Sequence, residues 1–303
     1  MNRSMPIRLA ILFALYSQAS IAILVAQTEE NPGEPQLAYI TKRDGNFEIY
    51  RCNVRGENHV RLTDHSPMDW NPQWNEKLNG IVYYTYDQAE RFQVRLMDLS
   101  GKQIKFTSPR ADGFVMSPNG KYIAFTKKVG ESTHLFTRAT QGKDEIQLTT
   151  KGKYNGRFKW SPNSSSLAFI SDRSGNNDVF EIDLKTRQVA QVTNSKEREK
   201  YIAWSPDGEQ IAFTRQPDKG TEDIYVFDRA MKTETRVTDN DVADVELDWS
   251  PCGQWIAFHS TRDGGDHIYV IQPDGRNETK LTSVDAYHGE PNFIYSETRK
   301  TND

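Results

Sequence analysis

The sequence predicts an all-β fold, a six-bladed β-propeller of four-stranded blades closed by its C-terminal strand joining the N-terminal blade. Three observations predict it. First, a strand–turn–strand unit, AWSPDGEQIAF at 203–213, returns as MSPNGKYIAF (116–125), WSPNSSSLAF (160–169), WSPCGQWIAF (249–258) and, more loosely, WNEKLNGIVYY (74–84). Second, an apolar residue followed by threonine closes each unit, with the threonines at 63, 107, 149, 193, 238 and 282, at intervals of 44, 42, 44, 45 and 44 residues. Such a period matches one four-stranded blade per repeat, and six closers imply six blades. Third, the two ends of the array complement one another.

Each element of the repeat has a local reason. Tryptophan ends an apolar strand, Ser205-Pro206-Asp207-Gly208 supplies the proline and glycine of a tight turn, and Ile211-Ala212-Phe213 resumes an extended run. Two further strands per unit follow, as in DIYVF (223–227), HIYVI (267–271) and DVFEI (178–182). Hairpin turns link them, among them Arg262-Asp263-Gly264-Gly265 and Asp274-Gly275. The N-terminal unit, 36–63, holds three strands and lacks the W-S-P strand. Glu290-Pro291-Asn292-Phe293 aligns with Asn71-Pro72-Gln73-Trp74, and Phe293 falls 44 residues after Trp249. The last strand is therefore expected to complete the first blade and remove the open edges of the array.

Outside the array, Arg3 and Arg8 precede apolar runs at 9–15 and 21–26, which reads as a secretory signal over 1–26 with cleavage after Ala22 or Ala26. An uncleaved anchor is the alternative, since the combined run approaches the ~20 residues of a span. Residues 27–35 read as a flexible tail, 36–294 as the propeller and 295–303 as a C-terminal tail. Composition, 26% charged and 36% hydrophobic, excludes wholesale disorder. The net charge of −4, or −6 without Arg3 and Arg8, argues against a nucleic-acid-binding surface. Cys52 and Cys252 are expected to be unpaired thiols, with one disulfide in an oxidising compartment as the alternative.

The units 204–238 and 249–282 resemble the propeller repeats of the TolB family of the Tol-Pal system, and similar repeats occur in propellers of prolyl-oligopeptidase-family peptidases. The resemblance covers 36–294. It implies a periplasmic or secreted, non-catalytic propeller whose channel rim receives a partner protein or peptide, as the TolB propeller receives a peptidoglycan-associated lipoprotein and an unstructured peptide. Two departures stand out. The α/β domain that precedes the TolB propeller has no room between leader and first strand, and the nucleophile elbow G-x-S-x-G of the peptidases is absent. A propeller alone is expected, with no membrane span after signal cleavage and a monomeric state.

Counting back from the strand-ending position of each repeat gives the expected rim: Asp69 and Trp70, Asp112, Asn155 and Arg157, Glu199 and Lys200, Asp244 and Glu246, and His288 and Glu290. This mostly acidic set reads either as a docking ring for a peptide, a basic segment or a cation, or as a hydrated rim. Trp70 reads as a contact anchor or as packed under its own loop. No cofactor is expected, with a channel-bound divalent cation as the open alternative. The six histidines, 59, 65, 134, 259, 267 and 288, show no H-x-x-x-H or H-E-x-x-H spacing. The alternative function is a carbohydrate-active propeller enzyme. Oligogalacturonate lyases hold a metal with histidines in a related propeller, and Asp244 with Glu246 could share a channel face for acid–base work on a sugar.

Overall fold

The computed structural model describes residues 34–65, 68–87, 91–106 and 114–295. The expected leader, most of the tail 27–35, Asp112, Thr107 and residues 296–303 lie outside the described residues. The described strands form six antiparallel sheets of four. Blade 1 joins His288–Ile294, innermost, to Gln36–Thr41, Glu48–Asn53 and Val60–Arg61. Blade 2 runs outward through Met68–Asn75, Gly80–Asp87, Arg91–Met97 and Gln103–Ile104, and blade 3 through Val115–Met116, Tyr122–Val129, Ser132–Ala139 and Ile146–Gln147. Blade 4 contains Asn155–Trp160, Ser166–Ser171, Asp178–Asp183 and Val189–Gln191. Blades 5 and 6 repeat the pattern from Arg198–Trp204 to Thr233–Arg236 and from Asp244–Trp249 to Thr279–Lys280. No described helix is long and apolar enough to cross a membrane.

The closure expected from the two ends is present. Gln36 pairs with Ile294, Leu37 with Phe293 and Thr41 with His288, so the C-terminal strand covers the inner edge of the first. Both cysteines are free, Cys52 in the core and Cys252 exposed.

The repeat motif encodes the packing between blades. In Ile211-Ala212-Phe213 successive side chains point to opposite faces of the sheet. Ile211 and Phe213 pack with Trp204 and Ala168, toward blade 4, while Ala212 packs with Trp249 of blade 6. The same exchange recurs at Ala124 with Trp160, Ala168 with Trp204, Ala257 with Phe293 and Ala38 with the half-buried Trp74. An alanine in the second strand thus makes room for the large ring that ends the next blade's inner strand. Where blade 3 carries Met116 in place of tryptophan, blade 2 carries Val82 in place of alanine, and both are buried. Each buried tryptophan removes about 150–250 Å² from water, an upper bound of roughly 4–6 kcal/mol. Two indoles also bond across the joint, Trp204 Nε1–H to the Lys159 carbonyl at 3.2 Å and Trp160 Nε1–H to that of Val115 at 3.0 Å.

The two sequence markers have equally local causes. The serine of S-P-x-G is buried, and its hydroxyl accepts an N–H from the far side of the turn. Gln210 donates to Ser205 at 2.9 Å, Ser166 to Ser161 at 3.0 Å, Tyr122 to Ser117 at 3.0 Å and Trp255 to Ser250 at 2.9 Å. Each described closing threonine is buried, and its hydroxyl accepts the N–H of a third-strand residue. The donors are Ile49, Leu135, Val179, Ile224 and Ile268, to Thr63, Thr149, Thr193, Thr238 and Thr282, at 2.9–3.1 Å. The hydroxyl supplies the acceptor that the short fourth strand leaves missing, so the buried donor is not orphaned.

Two outcomes test this packing. Trp204→Ala lowers unfolding stability by about 3–5 kcal/mol, and Ala212→Leu, which overfills the space beside Trp249, costs about 1–3 kcal/mol. Denaturant midpoints that stay unmoved in both variants would contradict the assigned register. Removing the chain from Glu290 onward exposes the inner edge of Gln36–Thr41, and the truncated protein is expected to lose its cooperative thermal transition.

Candidate functional site

The innermost strands begin at one end of the ring, and there the structure revises the sequence-based picture of the rim. The described rim candidates lie at the start of the inner strands, at Met68–Asn75, Asn155–Trp160, Arg198–Trp204, Asp244–Trp249 and His288–Ile294, and not in loops before them. In the five blades other than blade 3 the strands run longer than the repeat suggested because each is broken by a bulge. The pairing register shifts between Trp70 and Gln73, Gly156 and Lys159, Glu199 and Ile202, and Val245 and Asp248, and likewise opposite Ala38–Ile40 in blade 1. Four bulge residues take left-handed backbone conformations, Asn71 (φ 52°), Arg157 (φ 44°), Glu246 (φ 55°) and Glu290 (φ 52°). Such φ values are costly for residues with a Cβ and are held here by the surrounding ladder.

The bulge divides the candidate residues into two groups. Asp69, Asn155, Glu199, Asp244 and His288, two positions before it, are all buried. They sit in the joints between blades. Glu199 accepts from Arg215 at 2.7 and 3.1 Å and from Val179 N–H at 3.0 Å, and it also bonds the closing Thr193. Asp244 takes Arg262 at 2.7 Å and Asn240 at 2.8 Å, while Asn155 accepts from Arg173 at 2.8 Å and donates to the Thr133 carbonyl at 2.9 Å. His288 stacks on His267 at 5.7 Å and donates to the Val284 carbonyl, and burial holds its pKa down to about 4, so it is neutral. Burial pushes Asp69 up to about 6.

The second group reaches the channel mouth. Arg157 is exposed and lies 4.1 Å over the ring of Tyr201, the residue at the blade 5 bulge. Lys200 pairs with Glu222. Glu246 and Glu290 are half-buried and cap their neighbours: Glu246 Oε2 accepts the N–H of Glu290 at 2.8 Å, and Glu290 accepts that of Asn71. Deeper in, Asp248 accepts the Phe293 N–H at 2.8 Å and Asn292 that of Trp74 at 2.7 Å. The carboxylates of Glu246 and Glu290 therefore link inner strand to inner strand. Trp70 stacks on Tyr84 at 6.5 Å and packs in the core between blades 1 and 2, so part of its surface is committed to its own blade.

Sequence reasoning missed the tyrosines. Tyr154 and Tyr287 precede Asn155-Gly156-Arg157 and His288-Gly289-Glu290, and both lie across the backbone of the following glycine. A Cβ at Gly156 would stand 2.7 Å from the Tyr154 hydroxyl, and one at Gly289 2.4 Å from that of Tyr287. The shared pattern Tyr-x-Gly-charged was the available signal. Tyr154 is exposed, whereas Tyr287 packs against Phe47 and His259 and, like Trp70, lies against the core between blades 1 and 2. Burial raises the hydroxyl pKa of Tyr201 and Tyr287.

Burial also pushes Glu290 up to about 7 from an ordinary value near 4.5, with the Glu246 charge acting in the same direction. Its protonated form is favoured by folding, so its contribution is fully present below about pH 4.5 and is lost as pH rises through 7. The slope for one such group is at most about 1.4 kcal/mol per pH unit. Glu290→Gln keeps an acceptor for Asn71 and removes the charge. Thermal melts between pH 5 and pH 8 are expected to show a shallower decline in the variant than in the wild type. Asp244→Ala removes the buried partner of Arg262 and leaves it only Glu278 and Ser260, and is expected to cost about 2–3 kcal/mol in unfolding stability.

The architecture has counterparts of known identity. Residues 157–299 match the family model described as PD40, TolB beta propeller domain. The Tol-Pal system protein TolB of Desulfosudis oleivorans is 28% identical over 132 residues, covering 43% of this chain and 28% of that protein, so the matched stretch spans under a third of the relative's length. The crystal structure of TolB from Acinetobacter baumannii superposes with a TM-score of 0.72 at 20% identity, covering 92% of this chain and 71% of the other. The Agrobacterium tumefaciens protein assigned as TolB gives 0.66 at 16% identity, covering 87% and 100%. At these identities the structural likenesses speak to the fold, and the repeats themselves carry the sequence match. Together they show a six-bladed β-propeller whose repeats are similar to those of TolB.

Proposed function

We propose that the chain is a non-catalytic propeller of the periplasm or cell exterior that docks a partner protein or peptide at its channel mouth. The observation that carries this reading is the exposed Arg157 lying over the ring of the half-buried Tyr201, with the exposed Tyr154 nearby, on a frame held by buried ion pairs. Tyrosine, tryptophan and arginine are the side chains that supply large contact area at low entropic cost in protein interfaces. The glutamates nearby are engaged with backbone N–H groups of the neighbouring strand, so they brace the ring and are not poised as an acid–base pair. Similarity to a Tol-Pal system protein supports an envelope partner. Delivery by the N-terminal leader, 1–26, fits the same compartment, as does a propeller acting as a monomer.

The test is capture. Arg157→Ala with Tyr201→Ala is expected to weaken retention of a peptidoglycan-associated lipoprotein from the same envelope at least tenfold while leaving the melting temperature within a few degrees. Unaltered retention, in a variant that melts like the wild type, would discard the mouth as the docking surface.

A further inference from the structure

The joint between blades 1 and 2 differs from the others in a way that calls for a cation. At three of the other joints the buried polar residue of the inner strand meets a guanidinium: Asn155 meets Arg173, Glu199 meets Arg215, and Asp244 meets Arg262. Asp69 is equally buried, at 0% exposure, and faces Thr85 in the ladder as Asn155 faces Ser171 and Asp244 faces Ser260, but among the described residues no guanidinium is bonded to it. Neither carboxylate oxygen of Asp69 has a hydrogen-bond partner, and neither ring nitrogen of His65 nor the hydroxyl of Thr85 has one. His65 Nε2 stands 3.5 Å from Asp69 Oδ2. Glu48, buried at the start of the third strand of blade 1, completes a set whose ligand atoms lie within 4.8 Å of one another.

From this geometry we propose that Glu48, His65 and Asp69 form a binding site for a divalent transition cation, Zn²⁺ or Mn²⁺, that pins blade 1 to blade 2. An imidazole nitrogen with two carboxylates suits these ions, whereas Ca²⁺ and Mg²⁺ take oxygen ligands. Adjacent ligands on a tetrahedral Zn²⁺ with bonds of about 2.0–2.1 Å stand about 3.4 Å apart, close to the His65–Asp69 separation. Glu48 already holds the Thr63 hydroxyl at 2.5 Å and Arg61 at 3.3 Å, which orient it toward the set as outer partners orient metal ligands. The Thr85 hydroxyl or water supplies the remaining position. His65 is 30% exposed, which leaves a path of entry from solvent. The site lies in the joint between two blades and does not rest on the docking function.

The experiment titrates the chelator-treated full chain with Zn²⁺, and in parallel with Mn²⁺ and Ca²⁺, by isothermal titration calorimetry, with melting temperature read at each metal concentration. One equivalent of Zn²⁺, a melting temperature that climbs with it, and a loss of at least about tenfold in affinity in Asp69→Asn and His65→Gln support the site. Because His65 is partly exposed, His65→Gln is expected to keep the metal-free melting temperature even if Asp69→Asn folds poorly. His288→Gln, at the neighbouring histidine pair, retains wild-type binding. The proposal is overturned by the absence of stoichiometric Zn²⁺ binding, which would leave a simple His65–Asp69 ion pair. It is equally overturned by Zn²⁺ affinity unchanged in His65→Gln, or by Ca²⁺ binding as tightly as Zn²⁺.

Discussion

A mismatch of side-chain sizes repeated around the ring governs how this molecule is assembled. Each blade offers alanine on the face turned toward the next blade and bulky rings on the other, and the two faces fit only in head-to-tail order. Such an interface is heterologous, and a heterologous interface either closes into a ring or runs on as an open array. Closure needs one blade that shares both chain ends, which the pairing of Gln36–Thr41 with His288–Ile294 supplies. The exchange of valine for alanine and methionine for tryptophan between blades 2 and 3 shows that it is the summed volume at the joint that is preserved.

Polar residues complete what the apolar faces begin. Buried acids and amides at the start of the inner strands tie one blade's third strand to the next blade's inner strand, and their partners are arginines held among aromatic rings. Arg215 lies 5.1 Å from the ring centre of Phe213 and 4.6 Å from that of Tyr225, and Arg262 makes the same contacts with Phe258 and Tyr269. A guanidinium so placed is desolvated on its faces and bonded at its edge, the arrangement that makes removal of either partner expensive. The rigid joints let the bulge residues hold left-handed conformations and project toward the axis.

Much of the fold was legible in the sequence because its signals are local and repeated. The turn serine, the closing threonine and the Ile-Ala-Phe alternation each act within a few residues or along one sheet, so their spacing carries the blade count and the closure. The candidate site was legible only in part. Asp69, Asn155, Glu199, Asp244 and His288 occupy the register assigned to the rim and are buried, whereas Arg157, Lys200, Glu246 and Glu290 come near the mouth. A single inserted residue at each bulge turns the side chain after it to another direction, and a count along the chain does not register that turn. The tyrosines were missed because their place depends on a neighbouring glycine that leaves room for a ring.

What the chain determines by itself is the identity of its repeat, the number of blades and the pairing of its two ends, since these follow from periodicity and from complementary fragments of one motif. What only the tertiary structure decided is which polar residues are buried in the joints and which stay partly exposed beside them, and that, among the described residues, Asp69 has no arginine bonded to it where Asn155, Glu199 and Asp244 do. Partners such as Glu199 with Arg215, or Glu48 with Asp69, are brought together by the packing of one sheet on another. Their chemistry depends on burial and on three-dimensional neighbours, which no linear spacing contains.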